Sequence, residues 1–454
     1  MTIAAEQYHA TRYRDRKPSP PAGEGPKIGL SYTPEIAELR RAFRFAFPVA
    51  EMMRVREDQE SRAQANGRTM VNRIVHRTVL TNATERGVTA PNNDTLYSAS
   101  WLDLSAGPVM LDMPALPSRY HSVALLDLFT DHKAILGTRT TGGRGGRYLI
   151  AGPSWRGPTP AGATLVRSDV DDLYMIVRVL VDGTADLPAA VSAQAAFRIE
   201  PMFNSPSRLM KSRVGSDPRS LLALVNEALG RGPLPATHAE RVARFAAAGI
   251  QPGGVDAWER LAPKAQNIWA AKLPQFRAEL KEGWLSVGTA RNNWTYPKPG
   301  LGQFGTDDLY RARVALSGLH ALPPEEAMYL VSDRDGSGTP FDGRFVYRFK
   351  LPGNIPVDGF WSVSMYKPDS DGRWFFIENA IQRYAIGNRT AGVVKSANGE
   401  TEVIMSDTPP AQGVANWLPA PSGPFRLTFR AYLPGAALLD GRFLLPPVQR
   451  ISSQ

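Results

Sequence analysis

LDMPALPSRYHSVALLDLFTD, residues 111–131, reads as a strand end, a proline corner, a second strand and a polar turn. Pro114 and Pro117 lack the N–H a central strand needs, so they mark the corner. A second stretch, FKLPGNIPVDGFWSVSMYKPDSD at 349–371, repeats that order. Pro114 falls on Pro352, Pro117 on Pro356, Ser122-Val123 on Ser362-Val363 and Asp131 on Asp371. Further on, Arg147-Tyr148-x-Ile150 falls on Arg383-Tyr384-x-Ile386, at a nearly constant separation. Constant separation is the mark of an internal repeat and predicts two related β domains. Within FWSVSMY, Trp361, Val363 and Met365 should face one way, and Phe360, Ser362, Ser364 and Tyr366 the other.

Outward from these stretches, short β-rich runs punctuated by Gly and Pro fill residues 70–185 and return from 291. SLLALVNEAL, HAERVARFAAA and AQNIWAAKLPQFRAEL have helical period and content, so 186–290 is read as a helical segment. Residues 34–66 are also helical, with Ile36, Leu39, Phe43 and Phe47 on one stripe and Pro48 expected to kink or break them. Residues 1–32 are read as a flexible arm. The expected fold is mainly β with α: two β-sandwich or jelly-roll-like domains with a helical segment between them. The expected divisions are 1–32 (arm), 33–185 (N-terminal helices and first sandwich), 186–290 (helical) and 291–454 (second sandwich).

The chain has 454 residues, 43% hydrophobic and 21% charged, which suits a folded protein of more than one core. It has no cysteine, which excludes disulfides, thiolate metal sites and cysteine nucleophiles. The net charge is +10, but Arg and Lys are scattered, so no nucleic-acid partner is expected. No apolar run reaches membrane-spanning length, and the N-terminus lacks a signal-type apolar core. A cytoplasmic location is expected.

One polar knot precedes a strand: Pro91-Asn92-Asn93-Asp94-Thr95-x-Tyr97. Asn and Asp side chains cap backbone groups in turns, which is the mechanical reading. A carboxylate beside two amides and a phenol is also an acid or base with hydrogen-bonding groups, which is the reading as a pocket wall. Both hold if the turn places the ligand groups. Arg73 and His76 would share a face if VNRIVHRTVL were helical. Arg119, Arg383 and its neighbour Tyr384 stand at strand entries, where an arginine holds a carboxylate or ties a corner. His121 and His132 bracket a strand with Asp127 and Asp131 between them, a spacing that matches no standard ligand motif. Asp333-Arg334-Asp335-Gly336-Ser337-Gly338 departs from a calcium loop at its glycine and lacks the closing Glu, so it is read as a turn. No serine-nucleophile or dinucleotide motif occurs.

HRTVLTNATERGVTAPNNDTLYSASWLDL, GPVMLDMPALPSRYHSVALLDLFTD and GTRTTGGRGGRYLIAGPSW resemble the domain of unknown function 1254. FWSVSMYKPDSDGRWFFIENAIQRYAIGNRT and NWLPAPSGPFRLTFRAYLP resemble its C-terminal companion, the domain of unknown function 1214. The resemblance covers roughly residues 35–452. It implies sandwich domains with helices and an oligomer, and no established activity. It also raises the pocket-wall reading, because the Asn92–Tyr97 motif is the family's most recognisable signature. Relatives commonly carry export signals, and this N-terminus shows none.

The functional expectation is a small-molecule pocket, in the form of a cofactor-light acid/base enzyme on a small polar or carboxylated metabolite. The alternatives are a non-catalytic small-molecule or carbohydrate binder and a structural assembly protein. Asp94 and Tyr97 are the candidate catalytic residues. Asn92, Asn93, Arg73, His76, Arg119, His132, Arg383 and Tyr384 are the candidate binding residues. No metal or cofactor is called for, and a homo-oligomer is expected.

Overall fold

The computed structural model describes residues 33–204, 206, 208–281, 283 and 287–451; the arm read over 1–32 lies outside them. The first β region holds β1 (Val75–Arg77), β2 (Thr95–Asp103), β3 (Val109–Met113), β4 (His121–Leu126), β5 (His132–Gly137), β6 (Gly146–Ala151), β7 (Ala163–Arg167), β8 (Asp172–Leu180) and β9 (Arg198–Pro201). They form two sheets, ordered β1-β2-β8-β4-β5 and β7-β6-β3-β9. Leu111, Val123, Ile150, Leu173 and Val177 fill the space between them. The second region holds β10 (Thr289–Arg291), β11 (Trp294–Tyr296), β12 (Ala327–Ser332), β13 (Val346–Leu351), β14 (Trp361–Pro368), β15 (Trp374–Phe375), β16 (Ala385–Gly387), β17 (Thr401–Ser406), β18 (Trp417–Pro419), β19 (Arg426–Tyr432) and β20 (Gln449–Ile451). Its sheets run β10-β11-β12-β19-β14-β15, with β16 also on β14, and β18-β17-β13-β20.

The two orders are the same. β2-β8-β4 matches β12-β19-β14, and β7-β6-β3-β9 matches β18-β17-β13-β20. Even the parallel pairs correspond, β6 with β7 and β17 with β18. The repeat read from 111–131 and 349–371 is therefore a repeat of topology. Its last pairing needs correction. Arg147-Tyr148 lies on β6, whose counterpart is β17, whereas Arg383-Tyr384 leads into β16, the counterpart of β5. Register shows this: Gly137 stands opposite Ser122 and Gly387 opposite Ser362. A Cβ on Gly137 would meet the His121 carbonyl at 2.3 Å, and one on Gly387 the Trp361 carbonyl at 2.2 Å. Each glycine N–H then bonds a threonine three residues on, Thr140 (3.1 Å) or Thr390 (2.9 Å). The short R-Y-x-I pattern reports strand alternation, which says nothing about the neighbouring strand.

The helices are α1 (Pro34–Ala65), α2 (Thr138–Thr141), α3 (Leu187–Ala195), α4 (Pro218–Leu229), α5 (Ala236–Arg244), α6 (Ala257–Arg260), α7 (Pro263–Ala278), α8 (Asp308–Gly318) and α9 (Ala436–Leu439). β9 thus falls inside the span read as helical, and α8 beyond it. Thr33 caps α1 and Pro34 occupies its first turn. Of the kink or break expected at Pro48, the break does not occur: the helix runs through it. Phe43, Phe45, Phe47 and Val49 are buried around that proline, and their packing offsets the lost backbone bond. α1 packs on α4, α7 and α8.

Strand alternation sets what faces what. Leu173, Met175, Val177 and Val179 of β8 point into the first sandwich. Tyr174, Ile176 and Leu180 point the other way, into the core shared with α1. Arg178 shares their face, and every residue of β8 is buried. In β14, Trp361, Val363 and Met365 enter the second sandwich, as expected, while Phe360 joins the core shared with α1. Among the described residues no helix is long and apolar enough to cross a membrane.

Candidate functional site

A cavity of about 620 Å³ lies where α1, the two repeats and the loops before β2 and β12 meet. Its walls include Gln59 of α1, Tyr97 of β2, Arg178 of β8, His320, Tyr329 of β12, and Arg430 and Tyr432 of β19. These residues are related in pairs by the repeat. Tyr97 and Ser122 flank Arg178 across β2 and β4. Tyr329 and Ser362 flank Arg430 across β12 and β14. PNNDTLY at 91–97 therefore has its own counterpart, PPEEAMY at 323–329, with Asp94 matched to Glu326. The Asp94 carbonyl accepts from Val181 N–H at 3.0 Å and the Glu326 carbonyl from Leu433 N–H at 3.0 Å. Each acid then crosses to the other repeat: Ser362 donates to Asp94 (2.7 Å), and Tyr120 to Glu326 (2.9 Å).

The arginines cross as well. Arg178 Nη2 donates to the His320 carbonyl (2.9 Å), and Arg430 Nη2 to the Ala90 carbonyl (3.0 Å). Both acceptors sit at positive φ, 65° for His320 and 45° for Ala90, and Thr130 and Leu433 nearby share that conformation. For residues with a Cβ it costs about 1–3 kcal/mol each, and such strain gathers at functional sites.

The pair then diverges. Arg430 Nη1 donates to Ser364 Oγ (2.7 Å) and Nη2 also to Tyr366 Oη (2.7 Å). In register, the matching residues of β4 are Ala124 and Leu126, which offer no acceptor. Arg178 Nη1 consequently has no partner among the described residues, although Arg178 is only 5% exposed. Asp94 lies within electrostatic reach of Arg430. Its counterpart Glu326 is held by Arg139 (2.8 Å) and Tyr120. No ion pair reaches Arg178 among the described residues; the Tyr97 ring lies under it at 5.6 Å.

Burial, reinforced by Arg178, His132 and Arg54, holds His320 well below the ordinary imidazole range, so it is neutral. Its Nε2 has no partner among the described residues, and its ring leans on Tyr174 at 4.6 Å. Asp94 keeps some exposed surface but is crowded by protein. That desolvation pushes its carboxyl up, and Arg430 and Ser362 only partly offset it. Burial, then the Asp94 charge, pushes the Tyr432 phenol well up.

Asn92 fills both readings of the knot. Its Oδ1 accepts from Asp94 N–H (2.8 Å), closing the turn, and its Nδ2 donates to Tyr432 Oη (2.6 Å) at the cavity wall. Tyr97 lines the cavity; Asp94 stands one step out, and half-buried Asn93 shares the turn. His76 bonds Ser98 (2.8 Å), a cavity residue, from β1, so 75–77 is a strand and not a helix. Arg73 is exposed and bonds the Asn72 carbonyl. Arg119 ties Asp186 and the Leu180 carbonyl. His132 Nδ1 lies 3.3 Å from the Gly302 carbonyl. Arg383 gathers the carbonyls of Val414, Ala415 and Trp417, and Tyr384 is buried beside Phe376. None of these last five lines the cavity. Arg178, His320, Arg430 and Tyr432 were not among the candidate residues read from sequence. The available signal was an arginine within a mostly apolar run, in YMIVRVL and LTFRAYL.

Asp127, Asp131 and His238 could offer three ligand atoms within 4.8 Å of one another. Lys133 already pairs with Asp127 (3.1 Å) and Arg311 with Asp131 (2.9 Å), so both charges are met by the protein.

Two family profiles match the chain: Protein of unknown function (DUF1254) over residues 71–201 and Protein of unknown function (DUF1214) over 326–436. The VPA0106 protein of Vibrio parahaemolyticus has a similar crystal structure, at 23% identity and a TM-score of 0.66, over 92% of this chain and 100% of that one. An uncharacterised protein of Burkholderia cenocepacia matches at 12% identity and a TM-score of 0.47, over 92% and 93%. No curated protein matches.

Proposed function

We propose that this chain, a DUF1254 domain joined to a DUF1214 domain, binds a small polar or carboxylated molecule in the cavity between its repeats. One observation carries this reading: Arg178 is buried in the cavity wall with a cationic N–H that no described residue accepts. A desolvated, unpaired charge is costly, and an anionic ligand would remove that cost. Asn92 and Tyr97 would orient the ligand.

The fuller form of this reading is an acid/base enzyme with Asp94 as the proton-exchanging group. Its raised carboxyl supports that role. Simple binding is supported by the position of Asp94 one step out from the wall. A homo-oligomer in the cytoplasm, built from the divisions read from sequence, belongs to the same proposal.

Native mass spectrometry of the purified chain tests the reading and also reports the subunit number. A bound small molecule on the wild-type chain, absent from Arg178→Met, is expected. A bare chain mass together with no thermal shift from any small molecule, whether anionic, neutral or cationic, would sink the reading. If the bound molecule is converted by the wild-type chain and not by Asp94→Asn, the protein is an enzyme.

A further inference from the structure

The difference between Arg178 and Arg430 goes further than a free N–H. We infer that the cavity takes a monocarboxylate with an apolar body, its carboxylate held by Arg178 Nη1 and His320 Nε2. This rests on the small-molecule reading above and narrows it to a chemical class.

The charge count comes first. Arg430 is spent: its N–H groups go to Ser364, Tyr366 and the Ala90 carbonyl, with Asp94 close by. His320 is neutral and supplies a hydrogen bond, not a charge. Of the two arginines, Arg178 alone keeps a buried Nη with no partner among the described residues, which suits one negative charge. A phosphate dianion or a compact dicarboxylate would bring a second charge beside Arg178 that its single charge does not meet, since Arg62 and Arg77 of the cavity are paired with Asp58 and Glu85 and Arg68 is exposed. Geometry comes second. In register, the positions that give Arg430 its Ser364 Oγ and Tyr366 Oη are Ala124 and Leu126 beside Arg178, which carry no acceptor, so the acceptor must come from outside the described residues. Arg favours carboxylates because its planar donors match their two oxygens. The walls come third. Val55, Met70, Val75, Val88, Ile176 and Leu319 line the rest of the cavity, which has room for a body far larger than acetate. Arg62, Arg68 and Arg77 outnumber Asp58 and Glu85 at the same cavity, so an approaching anion is drawn in.

Titration calorimetry of the full chain with hexanoate, phenylacetate, phenylacetamide, succinate and inorganic phosphate tests the class. Hexanoate and phenylacetate should bind. The neutral amide should bind about ten-fold more weakly or worse, and the two dianions should not bind detectably. Arg178→Met should abolish carboxylate binding. Ala124→Ser is the sharper variant, because it gives Arg178 the partner that Arg430 already has. It should weaken phenylacetate about ten-fold while leaving the melting temperature unchanged or raised. Equal binding of acid and amide, tighter binding of succinate or phosphate, or an Ala124→Ser chain that binds as wild type would each overturn the class. If the amide binds as well as the acid, the class falls and the cavity reading stands. If no probe binds and native mass spectrometry shows the bare chain mass, both fall.

Discussion

Arg178 and Arg430 occupy the same place in the two repeats, and only one of them is at rest. Each stands mid-strand, flanked by a tyrosine on one side and a serine on the other, and each donates to a carbonyl of the opposite repeat. Arg430 completes its set with Ser364 and Tyr366, while the matching positions on the strand beside Arg178 are Ala124 and Leu126. A buried guanidinium with all its partners is a structural joint. The same group without them is where the proposed ligand would bind. The backbone that carries the two is alike, so the difference lies in two side chains on the adjacent strand.

The largest test of this contrast is stability. Arg430→Met would strand Asp94, Ser364, Tyr366 and the Ala90 carbonyl, and should destabilise by about 3–5 kcal/mol in urea unfolding. Arg178→Met loses one backbone bond and an unpaired charge, so its effect should stay within about 1 kcal/mol. Equal losses in the two variants would break the comparison.

Acid sensitivity should belong to the Arg178 side. Burial first, then Arg178, lowers His132 to about 3, and His320 lies well below its ordinary value. Their folded values lie below the unfolded one, so the unfolded chain takes up protons first. Their contribution to stability is complete above about pH 6.5 and declines as pH falls towards 3, by up to about 1.4 kcal/mol per pH unit for each histidine. Urea midpoints across that range should show the slope, and His132→Gln should flatten it.

Ser364→Ala should make Arg430 resemble Arg178, at a loss of about 1–2 kcal/mol in the same assay. Asp94→Asn should have the smallest effect. The folded carboxyl titrates above its unfolded value, so its favourable contribution is present at low pH and lost as pH rises through the folded value. At pH 7 the asparagine variant should equal or exceed the wild type by less than about 1 kcal/mol, and the two should converge near pH 4. A large loss at pH 7 would mean that the Asp94 charge holds Arg430 in place.

Much of the scaffold was legible from the chain. Gly and Pro punctuation separates the β regions from α1 and the later helices, because turn and helix preferences are local. The repeat showed in Pro114, Pro117 and Ser122-Val123, and the Asn92 turn in its own amides. The alternation of Trp361, Val363 and Met365 against Phe360 and Ser362 followed from the two-residue strand period. What only the tertiary structure decided was opposition. Arg119 and Arg383 bond backbone carbonyls away from the cavity lining, while Arg178 and Arg430, unremarked in buried strands, came to face one cavity. That Ala124 stands where Ser364 stands has meaning only once register has set Ser122 and Ser362 opposite the two arginines. Register and the meeting of sheet faces come from contacts far apart in the chain, and no local preference records them.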